Sequence, residues 1–265
     1  MKKSKLCLAL LIFILTPLLG CKRRYEDVNW VEEFRRMGDV GMYYDLSGRS
    51  SCIGRCQWKR ISTDTLAFEG VIAKATLVEF LEKTDDNVKI IQVNSGGGDV
   101  LTGVKIARQI QRRNLQVHVK GFCTSSCANY LFLAGTEKKI DGVVGFHGSS
   151  NAYHKKYGDC DNSELKTKCD TNNEERKFFE DIKIDQFLFD MTHTRDKGLG
   201  KGVYSYYAPS AKTLKALGVE NIIGDQSEEY LAQMKRLFDE LGEVEFAVAR
   251  DPNPAMQQHL LALKK

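Results

Sequence analysis

The stretch KGFCTSSCANY, residues 120–130, sets Ser125 and Ser126 between Cys123 and Cys127. Upstream, Leu115, Val117 and Val119 alternate as in a strand, with His118 on the opposite face; downstream, the apolar run Ala128 to Ala134 predicts a buried helix. The serines therefore fall at a helix N-terminus. Serine is a favoured N-cap, so one reading is simply a capped helix. The other is a nucleophile, because the partial positive charge at a helix start favours an alkoxide-like oxygen and the oxyanion it creates. Two further pieces belong to the same chemistry. Asn94-Ser95-Gly96-Gly97-Gly98-Asp99 lies between a predicted strand and a predicted helix, a tight turn whose glycines let backbone amides approach a bound group. Such a turn can bind phosphate or form an oxyanion hole, but it lacks the lysine of a phosphate-binding loop and the GxGxxG spacing, and taken alone it reads best as a tight structural turn. Gly145-Phe146-His147-Gly148 closes an apolar run with a histidine, either a structural hydrogen-bonder or a general base for one of the hydroxyls.

The elements that must position these groups follow from periodicity. Thr65 to Ile72, Lys89 to Asn94, Leu115 to Val119 and Gly142 to His147 predict strands. Between them, Leu77, Val78, Phe80 and Leu81, and then Leu101, Val104, Ala107 and Ile110, give helical stripes. Strands alternating with helices predict an α/β fold with a mainly parallel sheet. Residues 21–60 read as a tether and irregular lead-in, 61–225 as the domain, and 148–173 as a polar insertion within it. Beyond it come a helix from Glu174 to Met191, a short one from Ala211 to Leu217, and a last strand from Val219 to Ile223. Residues 226–265 supply an amphipathic helix from Glu228 to Leu241 and a tail that is loosely held past Arg250.

The N-terminus predicts a compartment. Lys2, Lys3 and Lys5 precede the apolar run Leu6 to Leu19, too short for a comfortable membrane span, so residues 1–20 read as an export signal. The signal ends in Leu18-Leu19-Gly20-Cys21, which resembles a bacterial lipobox with Cys21 as the lipidated residue, although Leu19 is bulky for its place. An ordinary cleaved signal is the alternative. The lipobox resemblance implies a lipid-anchored protein of the cell envelope facing the periplasm, and Lys22 and Arg23 after the cysteine favour the outer membrane. Removing three lysines with the signal from 39 basic and 35 acidic residues leaves 36 against 35, a balance that offers nucleic acid no basic face. Apart from Cys7 and Cys21, six cysteines remain: Cys52, Cys56, Cys123, Cys127, Cys160 and Cys169. An even number in an oxidising compartment favours disulfides, with the neighbouring pairs 52–56, 123–127 and 160–169 the simplest connectivity. No CxxC pair is present, which speaks against zinc.

Taken together, IIQVNSGGGDV, GFCTSSCANYLFLAG and GVVGFHG resemble the Clp-protease/crotonase superfamily over roughly residues 60–225, near Clp-type serine peptidases, signal peptide peptidase A and envelope proteins carrying Cys-x-Ser-x-Cys. The resemblance implies a spiral of ββα turns, His147 as base, and an oxyanion hole from Gly97 or Gly98 with the amide after the nucleophile. Aligned from Gly121 or Cys123 the family serine is Ser125; aligned back from Leu133-Ala134-Gly135 it is Ser126. Ser125 is favoured because its anchors adjoin the turn, and Ser126 stays open. The related peptidases place an acid shortly before the segment matching Tyr206 to Ala211, where this chain has Gly202-Val203-Tyr204-Ser205; Asp196 is the nearest substitute. The implied function is an envelope serine peptidase or acyl hydrolase without cofactor or metal, acting on a peptide or protein, with homo-oligomers among its relatives. The missing acid keeps a non-catalytic binding or assembly lipoprotein as the alternative. An acyl-CoA enzyme ranks last, since its cofactor is not found outside the cytoplasm.

Overall fold

A computed structural model describes residues 57–148, 166–190, 206–233, 248–249, 251 and 254–263. The export signal, Cys21, Cys52, Cys56, Cys160 and Asp196 lie outside them. Regular structure begins earlier than residue 61, because Trp58 supplies a buried anchor. Strand β1 (Gln57–Arg60) pairs antiparallel with β2 (Thr65–Ile72), and the fully buried Trp58 ring packs 4.7 Å from both Phe68 and Phe80. Its indole N–H donates to the Thr76 carbonyl at 2.8 Å in helix α1 (Lys74–Lys83). The lead-in is thus partly core. In α1, Phe80 is buried while Val78 and Leu81 face outward, so the predicted stripe is narrower than it reads.

The chain then alternates β3 (Ile90–Gly98), α2 (Val100–Arg112), β4 (Gln116–Thr124), a π-helix α3 (Cys127–Phe132) and β5 (Lys138–Gly145). Next come α4 (Lys166–Ile182), α5 (Phe187–Asp190), β6 (Tyr206–Tyr207), α6 (Ala211–Ala216), β7 (Ile222–Gln226), β8 (Val248–Ala249) and α7 (Pro254–Ala262). The main sheet has the order β1-β2-β3-β4-β5-β7, parallel from β2 onward, while β6 and β8 form a separate parallel pair. The α/β class and the mainly parallel sheet agree with the sequence. Because the order advances in one direction and such crossovers are right-handed, α1, α2 and α3 fall on one face, where α2 packs against both of the others.

Three boundaries depart from the sequence reading. The glycine run is not a turn: β3 continues through it to Gly98, and Asp99 caps α2 by accepting from the Thr102 amide at 2.8 Å. Helix α4 begins at Lys166, inside the stretch read as an insertion, because a helix of polar residues resembles a loop in composition. The strand expected at 219–223 is instead Ile222–Gln226, since Val219 is buried before it and only Ile222 onward pairs with β5, and β8 follows it in the chain. The tail beyond Arg250 is also anchored: Met256 is buried, and His259 stacks on Phe187 at 3.9 Å with its Nε2 2.6 Å from Asp185.

A crease crosses the sheet. Gly70, Gly121, Gly142 and Gly224 carry positive φ on β2, β4, β5 and β7, and Gly121 lies opposite Gly142. At Gly142 a Cβ would sit 2.0 Å from the Gly121 carbonyl oxygen, which only glycine permits. On β3 the register shifts between Val93 and Ser95. There the side chains replace the interrupted ladder: Asn94 Oδ1 accepts from the Phe122 amide at 3.1 Å, and Ser95 Oγ donates to the Gly70 carbonyl at 2.6 Å. Beyond the crease, the ends of β3, β4 and β5 carry Gly98, Ser125 and His147 or lead directly to them.

Candidate active site

Parallel strands bring distant residues together wherever neighbouring strands end together. The last pair between β4 and β5 is Thr124 with Gly145, so Ser125 and His147 stand one and two residues past it. Their 22-residue separation in sequence closes to 2.5 Å between Ser125 Oγ and His147 Nε2. With the ring proton on Nδ1, the hydroxyl donates to Nε2. Both residues are half-buried, so the pair remains open to a ligand.

Ser125 occupies a strained turn. Its φ is +55°, a conformation that costs a non-glycine residue about 1–3 kcal/mol and persists only where the surroundings impose it. The Ser125 amide donates to the Gly145 carbonyl at 3.1 Å, its carbonyl accepts from the Asn129 amide at 2.8 Å, and a Cys123–Cys127 disulfide closes the loop around it. Of the cysteine pairs expected from sequence, this is the one that falls within the described residues; Cys169 lies on α4, whose side chains there are not described.

Ser126 does something different. It is the N-cap residue of α3, yet its hydroxyl makes no capping bond and donates instead to the Gly98 carbonyl at 2.7 Å. That contact ties the end of β3 to the serine turn. Gly97 makes the approach possible: a Cβ there would lie 2.6 Å from Ser125 Cβ and 2.7 Å from the Ser126 nitrogen. The Gly97 amide donates to Ser95 Oγ at 3.1 Å and is therefore already used. The Asp99 amide points to the Ile72 carbonyl of β2 at 2.8 Å, so the Gly98 carbonyl faces the other way. In an extended strand a residue's amide and carbonyl point to the same side, which turns the Gly98 N–H toward the serines as well.

Two residues missed in the sequence hold the histidine. Asn129 Nδ2 donates to the His147 carbonyl at 2.8 Å, and the Tyr206 ring meets the imidazole edge-on with centroids 5.5 Å apart. Asn129 carried a legible signal, since four residues past Ser125 places it on the same side of a helix. Tyr206 carried none, because 59 residues separate it from His147. His118, on the opposite face of β4, pairs in register with Lys139 and stands apart from these groups. The stretch Gly202 to Ser205, where the family's acid is missing from the sequence, lies outside the described residues.

The constellation offers a hydroxyl against an imidazole nitrogen, beside the Gly98 amide, at the carboxyl ends of adjacent strands. Such an arrangement can deprotonate an oxygen nucleophile and hold a developing negative charge. No family model matches the chain and no curated protein matches it, so the functional reading rests on fold and site geometry.

Proposed function

We propose that the protein is a serine hydrolase of the Clp-protease/crotonase type, acting on a peptide or an acyl ester in the cell envelope. The carrying observation is the 2.5 Å contact between Ser125 Oγ and His147 Nε2 at a turn where Ser125 holds φ +55°. In this reading His147 takes the Ser125 proton as the oxygen attacks the carbonyl carbon. The Gly98 and Ser126 amides receive the oxyanion. The same imidazole then protonates the leaving amine or alkoxide, and water attacks the acyl-enzyme by the reverse sequence. Ser126 serves through its backbone, with its side chain bracing Gly98.

The crease supports the superfamily reading of the fold. Part-way along, β4 and β5 carry a positive-φ glycine and β3 a register shift, and β3 and β4 are each followed by one helix; in this reading the two parts of a strand and its helix stand for one ββα turn. The disulfide around Ser125 accords with an exported chain, and with it the reading of residues 1–20 as an export signal and Cys21 as a lipid anchor. Among the described residues no helix is long and apolar enough to cross a membrane.

A fluorophosphonate probe tests the proposal. Peptide mapping after labelling is expected to place the adduct on Ser125, with Ser126→Ala still labelled and Ser125→Ala and His147→Ala silent. Absence of any adduct on folded wild-type protein, or an adduct that persists in Ser125→Ala, would overturn it. Stable capture of a partner by both serine variants, without turnover, would instead support the binding-protein alternative.

A further inference from the structure

We propose that Asp251, in the segment that follows β8, is a positioning residue for His147, acting through Tyr207 and β6. The inference rests on the Ser125–His147 reading of the site. It starts from where the main sheet stops. Beyond the Thr124–Gly145 pair, β5 leaves the register of β4, and His147 lies past that point with its carbonyl held by Asn129. Further support comes from β6. The Phe146 amide donates to the Tyr207 carbonyl at 2.8 Å, and the Tyr207 amide donates back to the Phe146 carbonyl at 2.7 Å. One residue on, the Tyr206 ring meets the imidazole.

Two residues cannot hold themselves in place, so β6 must be fixed from its other side. There it pairs with Val248–Ala249 of β8. Just beyond, the buried Tyr207 side chain donates its hydroxyl proton to Asp251 Oδ1 at 2.9 Å. The second carboxylate oxygen, Oδ2, accepts from the Ser210 amide at 2.9 Å and from the Ser210 and Thr213 hydroxyls, each at 2.6 Å. One carboxylate thus collects four donors spread over Tyr207 to Thr213, and charge-assisted bonds of this kind are about twice as strong as neutral ones. Burial alone would raise the Asp251 carboxyl, but the Ser210, Thr213 and Tyr207 donors hold it below the usual carboxylate value, so it stays ionised. The connection runs from Asp251 to the Tyr207 hydroxyl, from the Tyr207 backbone to Phe146, and from there to His147.

Asp251 also steadies the start of α6, so the test must separate that role from the positioning one. Tyr207→Phe removes only the hydroxyl by which Asp251 reaches β6 and leaves its bonds to Ser210 and Thr213. Tyr207→Phe and Asp251→Asn are compared with the wild type in the full chain, with circular dichroism and unfolding midpoints confirming the fold. Both variants are expected to bind the fluorophosphonate probe with unchanged apparent affinity and to be inactivated about tenfold more slowly at saturation. In the same proteins, carrying isotope-labelled histidine, the His147 ring resonance is expected to shift and broaden while that of His118 stays fixed. A saturating rate and a His147 resonance that are both unchanged in folded Tyr207→Phe would overturn the proposal. If the wild type takes no label, the hydrolase reading fails by itself, and the resonance comparison still decides whether Asp251 positions His147.

Discussion

Three adjacent glycines in NSGGG look interchangeable in the sequence, yet the structure makes sharply different demands on them. At Gly96 a Cβ would meet nothing closer than Thr124 Oγ1 at 4.0 Å, and its φ lies outside the left-handed region. Gly96→Ala is therefore expected to change unfolding free energy by no more than about 1 kcal/mol, in the stabilising direction if the stiffer unfolded chain dominates. At Gly97, φ is +95° and the new Cβ would lie 2.6 Å from Ser125 Cβ, 2.7 Å from the Ser126 nitrogen and 2.8 Å from the Thr124 carbonyl oxygen. The backbone conformation costs an alanine about 1–3 kcal/mol. Contacts this short with main-chain atoms cannot be relieved by a rotamer change, and overpacking of that kind adds about 1–3 kcal/mol. Gly97→Ala should thus lose roughly 2–6 kcal/mol, a large share of a stability that is typically about 5–15 kcal/mol. Relief comes by pushing the serine turn away from β3, and a displacement near 1 Å at a reacting group costs on the order of a hundredfold in rate. Urea unfolding gives the first quantity, and fluorophosphonate labelling of the folded fraction gives the second. The reasoning is refuted if Gly97→Ala matches Gly96→Ala in stability and labelling rate.

Other perturbations test other joints. Asn129→Leu removes the amide that donates to the His147 carbonyl and should slow labelling about tenfold, with a stability cost of about 1–3 kcal/mol read by urea unfolding. Opening the five-residue loop closed by Cys123 and Cys127, by Cys123→Ala with Cys127→Ala, should cost roughly 2 kcal/mol from loop entropy and a larger share of labelling, since Ser125 then has less to hold it at φ +55°. Trp58→Ala should cost about 3–5 kcal/mol in the same unfolding assay, a loss that an irregular tether would not show. Lys138 gives a pH signature: burial lowers its amine to about 8, against 10.5 for a free lysine. Between those values the unfolded chain binds the extra proton, so stability should rise with pH from about 8, by at most about 3 kcal/mol. Burial raises the Tyr130 and Tyr207 hydroxyls, which reverses the trend above about pH 10, so the window is read between pH 8 and 10. Lys138→Met should flatten that rise.

Local alternation made the strands legible, and their mainly parallel pairing followed from alternation with helices. The sequence could not show how far each strand runs. Thr124 and Cys123 have no apolar pattern of their own; they are strand because Cys123 pairs with Val144 and Thr124 with Gly145. Likewise the NSGGG run reads as a turn by composition, whereas Asn94 and Ser95 side chains keep it extended by bonding the neighbouring strands. The choice between Ser125 and Ser126 leaned in the sequence on the upstream anchors alone, which favoured Ser125 and left Ser126 open. Both are small, polar and adjacent, and what separates them is a positive φ at one and a contact with Gly98 at the other. The supports of the histidine were the least legible. Asp251 meets Ser210 across 41 residues, and Tyr207 meets Phe146 with no shared motif.

The crease explains why a site exists where this topology would not otherwise put one. In open parallel sheets the ligand crevice forms where the strand order reverses and two crossovers leave in opposite directions. Here the order from β1 to β5 never reverses, so the helices pack side by side and leave no such gap. A recess must then come from the strands themselves. Glycines with positive φ on β4 and β5, and the register shift on β3, redirect the strand ends beyond the crease. Gly98, Ser125 and His147 all lie on the redirected side, in three consecutive strands or their immediate extensions. The glycines that make this bend are therefore as much a part of the proposed chemistry as the hydroxyl and the imidazole. A side chain at Gly121, 2.9 Å from Asn94 Oδ1, would disturb the site without touching either of them.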